Sequence, residues 1–155
     1  MTGVQTCALP ISRDIRVIEE YDPSLPLVYG NRDQLTQVVL NLAKNAAEAI
    51  GPNVKGAEIR FTTAYRPGVR RTGEDGKPGL RLPLEVAVRD NGPGVPDEIR
   101  PNLFDPFFTT KQSGTGLGLA LVASIIEAHG GLVECDSVPA RTEFRILLPT
   151  SPEIG

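Results

Sequence analysis

Cysteine, histidine and tryptophan are nearly missing from this chain. It carries two cysteines (Cys7 and Cys135), one histidine (His129), one methionine and no tryptophan. Two cysteines make no disulfide framework, and no Cys/His cluster has metal-ligand spacing, so neither a stapled fold nor such a metal centre is in view. Both thiols read as ordinary cysteines of a reducing cytoplasm. No apolar run approaches the roughly 18 residues of a membrane-spanning helix. The net charge of −3 supplies no electrostatic hold on nucleic acid or on an acidic membrane. There is no internal repeat and no low-complexity tract. What is present, 155 residues of which 40% are hydrophobic and 23% charged, suits one ordinary globular domain.

The first eleven residues, Met1 to Ile11, resemble no protein segment. They match the translation of a common sequencing-library adapter read from a gtg start, with Ser12 as the junction codon. On that reading residues 1–12 are a processing scar, residues 13–150 the domain and residues 151–155 a tail, and the chain is a C-terminal fragment. Removing residues 1–12 is expected to leave thermal stability within about 0.5 kcal/mol, the usual range of surface changes. A larger loss in a melting experiment overturns the adapter reading.

Ile15 to Glu20 is β-branched and reads as an edge strand. Asp22-Pro23-Ser24-Leu25-Pro26 is turn or extended chain, because each proline fixes φ and biases the residue before it away from helix. Asn31 or Asp33 caps a helix that runs to Ile50, with Leu35, Val38, Val39, Leu42, Ala46 and Ala49 on one apolar face. Gly51-Pro52 stops it. Glu58 to Tyr65 and Leu82 to Arg89 read as strands, the second alternating Leu82, Leu84, Val86 and Val88 onto one face. Arg66 to Pro83 between them reads as a long, mobile hairpin loop. After a Gly- and Pro-broken stretch, Thr115 to His129 reads as a helix ended by Gly130-Gly131. Leu132 to Asp136 and Thr142 to Leu148 close the pattern as strands. The order β-α-β-β-α-β-β points to a two-layer α/β sandwich.

On a helical wheel Gln34, Asn41, Asn45 and Glu48 form a polar seam beside the apolar face of the first helix. Leu40 and Ala47 make its far side apolar as well, so the helix is expected to be enclosed and the seam to face something that satisfies it. An Asn amide oxygen is a suitable hard ligand for Mg²⁺. Asp90 ends a strand before Gly92-Pro93-Gly94, where a carboxylate can accept a hydrogen bond from an exocyclic amine and the glycines leave space for a base. Three of the five phenylalanines, Phe104, Phe107 and Phe108, cluster in the broken stretch and read as a small satellite core. Gly114-Thr115-Gly116-Leu117-Gly118 opens the last helix with successive backbone N–H groups, an arrangement that holds anions. Its spacing is neither that of a P-loop nor that of a dinucleotide fingerprint.

Taken in order, Asn41-Leu42-Ala43-Lys44-Asn45-Ala46, Asp90-Asn91-Gly92-Pro93-Gly94, Phe104-Asp105-Pro106-Phe107-Phe108 and Gly114-Thr115-Gly116-Leu117-Gly118 resemble the N, G1, F and G2 boxes of the GHKL ATP-binding superfamily. The likeness is greatest to the catalytic ATP-binding domain of sensor histidine kinases, and it covers residues 13–149. It implies the Bergerat fold, a mixed sheet packed against helices with a mobile ATP lid, and ATP with Mg²⁺ as the ligands. Asn45 then corresponds to the Mg²⁺ ligand, and Glu48 to a group holding a metal-bound water. Asn41 and Glu48 are the catalytic candidates. Asp90 corresponds to the adenine reader, with Gly92 and Gly94 beside it and Thr142 reaching the base through water. Lys111, Gly114, Thr115, Gly116, Leu117 and Gly118 correspond to the phosphate cradle. His129 matches a non-acceptor histidine at a helix end, so the phosphoacceptor belongs upstream.

Asn-Ala-Ala-Glu-Ala and Leu-Phe-Asp-Pro-Phe-Phe-Thr-Thr-Lys resemble the nitrogen-regulation sensor kinases of the NtrB type. That implies a missing dimerisation and phosphoacceptor domain, an NtrC-type response regulator and a PII signal protein as partners. Two other classes stay open. An ATPase of the same superfamily places Glu at the position of Asn41 as a base for water, and Asn is a poor base. A nucleotide-binding module that has lost catalysis is disfavoured by intact Asn45, Asp90 and glycines.

Overall fold

The computed structural model describes residues 15–28, 30–51, 54–69, 79, 81–105 and 118–150. Five strands form one mixed sheet in the order β1-β2-β3-β5-β4, from β1 (Arg16–Glu20), β2 (Glu58–Tyr65), β3 (Leu84–Asp90), β4 (Leu132–Val138) and β5 (Arg141–Leu148). Only β1, which sits at one edge as expected, pairs parallel, and the other three ladders are antiparallel. The helices α1 (Arg32–Ile50) and α2 (Gly118–Ala128) contribute buried residues to the same core as the sheet, which gives the two-layer α/β sandwich.

The alternation of apolar residues decides which sheet face meets the helices. Ile59 and Phe61 of β2, Leu84 and Val88 of β3, and Phe144, Ile146 and Leu148 of β5 join one buried cluster with Val38, Leu42, Ala46 and Ile50 of α1 and Val122, Ile125 and Ile126 of α2. Val86, Val133 and Cys135 pack against it. Burying one such Leu, Ile or Phe contributes about 1.5–3 kcal/mol, so this cluster is the main source of stability. Phe104 is no separate core: its ring stands edge-on to Phe144 at 6.2 Å and packs against the main cluster. Phe107 and Phe108 lie outside the described residues.

The opposite face carries ion pairs. Arg60 meets Glu20 and Glu58, and the Glu143 carboxylate takes both Arg89 at 3.1 Å and Arg145 at 3.0 Å.

Several element boundaries differ from the sequence reading by one or two residues. β3 begins at Leu84 rather than Leu82, because Pro83 has no N–H to give to the ladder. It also runs one residue further, so that Asp90 is paired on both sides, with Ile59 and with Thr142. β4 continues past Asp136 through Val138, and Pro139 and Ala140 alone turn the chain into β5. The described part of α2 begins at Gly118.

Candidate functional site

The site starts from strand parity. Leu84, Val86, Val88 and Asp90 share one side of β3, so the run of core residues ends in a carboxylate on the helix side of the sheet. The same step along β5, from Leu148 through Ile146 and Phe144, ends in Thr142, and along β4 from Val133 through Cys135 it ends in Ser137. Register aligns these ends in one row across the sheet: Ile59, Asp90, Thr142 and Ser137. Asp90 is 2% exposed and Thr142 3%.

Burial pushes the Asp90 carboxyl above the ordinary aspartate value, and the hydrogen bond from the Gly92 N–H, 2.9 Å from Oδ1, partly offsets this. A buried carboxylate with so little compensation among the described residues is suited to a donor from elsewhere. The Thr142 hydroxyl lies 2.8 Å from Ser137 Oγ, which also accepts the Val95 N–H at 2.7 Å.

Two glycines shape the loop above this row. A Cβ on Gly92 would stand 2.9 Å from Asp90 Oδ1 and 3.5 Å from the Ala49 carbonyl carbon, so a side chain here would crowd the carboxylate against the last turn of α1. Gly94 has φ +94°, a conformation that favours glycine, and a Cβ there would meet Val138 O at 3.1 Å. The loop is held to the β4–β5 hairpin by the Ala140 N–H donating to Gly92 O at 3.1 Å. Asn91 points away and fastens the start of β2, accepting from the Glu58 N–H at 2.8 Å and donating to Gly56 O at 2.7 Å.

α1 lies along the site. It is capped by Asn31, whose side chain accepts the Gln34 N–H at 3.0 Å. Asn41 and Asn45 are half-buried on the seam and Glu48 is exposed. The expected enclosure of α1 does not occur: Thr36, Gln37 and Lys44 face solvent, while Leu40 and Ala47 are only half-buried. One side of α1 packs on the sheet and on α2 and the other meets water, so the seam is a border. At that border Asn41 Nδ2 donates to the Gly118 carbonyl, the first turn of α2, at 3.4 Å. The seam thus runs from the start of α2 at Asn41 to the Asp90–Gly92 loop at Ala49, eight residues or about 12 Å of helix.

Of the sequence-derived site residues, Asn41, Asn45, Glu48, Asp90, Gly92, Gly94, Gly118 and Thr142 are described. Lys111, Gly114, Thr115, Gly116 and Leu117 lie outside the described residues. Asp90, Thr142 and Gly92 come together, as do Asn41 and Gly118. Ser137 was missed, although one further step of the Val133, Cys135 alternation reaches it. Ser137→Ala leaves the part-buried Val95 N–H without its acceptor and the buried Thr142 hydroxyl without its partner. It is expected to cost about 1–3 kcal/mol, the usual penalty of an orphaned buried group, measured by urea unfolding. A cost under roughly 0.5 kcal/mol would show that the loop does not depend on this hydroxyl.

Residues 30–152 match the model of a family described as histidine kinase-, DNA gyrase B- and HSP90-like ATPases. A sensory histidine kinase/phosphatase NtrB from Rhizobium leguminosarum bv. phaseoli is 61% identical over 142 residues, 92% of this chain and 37% of that protein. One from Escherichia coli O157:H7 is 38% identical over 146 residues, 94% of this chain and 40% of that protein. The chain therefore spans well under half the length of these relatives. Among solved structures, the catalytic domain of the histidine kinase ThkA is similar with a TM-score of 0.70 and 33% identity, over 90% of this chain and 82% of that one.

Proposed function

The chain belongs to the histidine kinase-, DNA gyrase B- and HSP90-like ATPase family, as the ATP-binding catalytic domain of a sensor histidine kinase, and from that premise we propose how its residues divide the work. Asp90 accepts the adenine 6-amino group, the Thr142 hydroxyl reaches the base through water, and Gly92 and Gly94 give the ring its space. The phosphates run along α1 toward the start of α2, where Lys111, Gly114, Thr115, Gly116, Leu117 and Gly118 receive them. The observation that carries this reading is the buried Asp90 carboxylate in register with Thr142 under one end of α1, while Asn41 of the same helix meets α2.

Asn45 and Glu48 fit a divalent cation by their chemistry. Both offer hard oxygens on one side of α1, and Mg²⁺ takes only one or two protein oxygens beside nucleotide phosphates and water. Asn45 would bind it directly and Glu48 through a water. When bound, Mg²⁺ neutralises charge on the β- and γ-phosphates.

The whole protein then transfers the γ-phosphate to a histidine on its own dimerisation domain, and from there to an aspartate of an NtrC-type response regulator, in nitrogen regulation. A PII signal protein is the expected regulatory partner, and the cytoplasm the location. No helix among the described residues is long and apolar enough to cross a membrane. Titration calorimetry with ATP, ADP and GTP in Mg²⁺ tests the nucleotide reading. Binding of the adenine nucleotides alone is expected, and a folded sample that takes up neither ATP nor ADP overturns it.

A further inference from the structure

His129 uses both ring nitrogens. Nδ1 lies 2.7 Å from the Ile125 carbonyl oxygen, so it carries the proton and donates within the last turn of α2. Nε2 is then an acceptor, and it receives the backbone N–H of Asn31 at 3.0 Å, across 98 residues of sequence. Asn31 is the N-cap of α1. In a capping box that same N–H is satisfied from within the helix, by a side chain at its third residue. Here the acceptor comes from the opposite helix. The ring edge fits because residue 30 is glycine: a Cβ there would stand 2.7 Å from His129 Cδ2 and 2.9 Å from Nε2.

The two helices run antiparallel and are tied at two heights. Asn31 meets His129 at one height and Asn41 meets Gly118 at the other. The ties are ten residues apart on α1 and eleven on α2, about 15 and 16 Å at 1.5 Å per residue. The lengths match, so the ties close a frame. Loosening one tie lets α2 slide along α1, and the end that slides toward or away from Asn41 and Asn45 is the one where α2 begins.

We propose that His129 is a positioning residue for the nucleotide phosphates, setting the axial register of α2 against α1 through the Asn31 N–H. This rests on the nucleotide reading above. Adenine contacts, which depend on Asp90 and β5, lie outside the frame and do not depend on it.

Two substitutions separate the two ring nitrogens. In His129→Gln the side-chain oxygen takes the place of Nε2 and keeps the tie to Asn31. In His129→Asn the amide takes the place of Nδ1, keeps the bond to Ile125 and loses the tie. Calorimetric titration of the full 155-residue chain with Mg²⁺·ATP and with adenosine, at pH 8, reads both. His129→Gln is expected to hold ATP within about threefold of wild type, and His129→Asn to weaken it about tenfold, the worth of one hydrogen bond. Adenosine affinity is expected to stay within about twofold in both, because its contacts do not depend on that bond. Gly30→Ala, which crowds the ring edge, is expected to follow His129→Asn and serves in its place if that variant melts below the titration temperature. Equal ATP affinity in the Gln and Asn variants overturns the proposal, as does a parallel loss of adenosine binding, which marks general unfolding. Wild type that binds adenosine but gains nothing from the phosphates also overturns it, and wild type that binds neither removes the nucleotide reading as well.

Discussion

Asp90→Asn is expected to weaken ATP binding by roughly ten- to 150-fold, the equivalent of the 1.5–3 kcal/mol carried by a hydrogen bond to a charged group, without destabilising the domain. The Gly92 N–H already occupies Oδ1. In the variant that oxygen keeps its bond, and the amide NH₂ then faces the adenine amine, donor against donor. Stability moves the other way. Burial raises the Asp90 pKa in the fold, so the ionised group is less welcome there than in the unfolded chain. Below the ordinary aspartate value of about 3.9 both states are protonated and no cost arises. As pH climbs through the raised folded value, the fold loses stability. The neutral amide avoids that loss. The melting temperature of Asp90→Asn is therefore expected to equal or exceed wild type at pH 7, with the difference closing toward pH 4. Wild-type ATP binding is expected to fade on acidification at a pH above the ordinary aspartate value. A variant that loses ATP binding and melts well below wild type at pH 7 contradicts this account, because the carboxylate is then holding the fold rather than waiting for a ligand.

Much of this arrangement is legible in the amino-acid sequence. The bounds of β2 match those read from its pattern, Glu58 to Tyr65, and α1 ends at Ile50, one residue before the breaker. Those elements announce themselves through periodicity and through Asn31 and Gly51, which are local signals. Asp90 was readable as a strand end before a glycine turn. Its partners were harder. That Asp90 faces Thr142, and Thr142 meets Ser137, depends on ladder register, which is set by pairings of residues about 50 apart in sequence. β4 looked shorter because Ser137 and Val138 precede a proline, yet that proline begins a tight turn and leaves the strand intact. The expectation that α1 is enclosed rests on Leu40 and Ala47, but apolar residues left half-buried at a helix border are ordinary. The His129–Asn31 tie has no local signature at all. Its two residues are 98 apart, and either one alone is explained by its own helix end.

Phosphoryl transfer is where the second large effect is expected. The chain alone, with Mg²⁺·ATP, is expected to turn ATP over only slowly, and to label a separately supplied acceptor-helix domain when one is added. Transfer depends on placing the nucleophile in line and on neutralising phosphate charge, not on covalent chemistry by the domain. The described residues offer no strong base at the place where a hydrolase of this family needs one. Asn41 cannot accept a proton from water as a carboxylate does, and its amide is already engaged as a donor to the Gly118 carbonyl. An imidazole nucleophile from outside brings its own lone pair and needs no such base. Asn45→Ala removes the oxygen assigned to Mg²⁺ while leaving Asn41, Asp90 and the buried arc of α1 in place. Metal stabilisation of transferring phosphate is worth several kcal/mol, so labelling of the acceptor is expected to fall by about a hundredfold or more. Adenosine affinity should hardly move, because the base contacts stand a turn further along the helix. The measurement is the rate of radiolabel transfer from γ-labelled ATP to the acceptor, beside phosphate release without it. Rapid phosphate release by the unmodified chain with no acceptor present would move the reading from kinase to ATPase. Unchanged labelling by Asn45→Ala would place the metal on other residues.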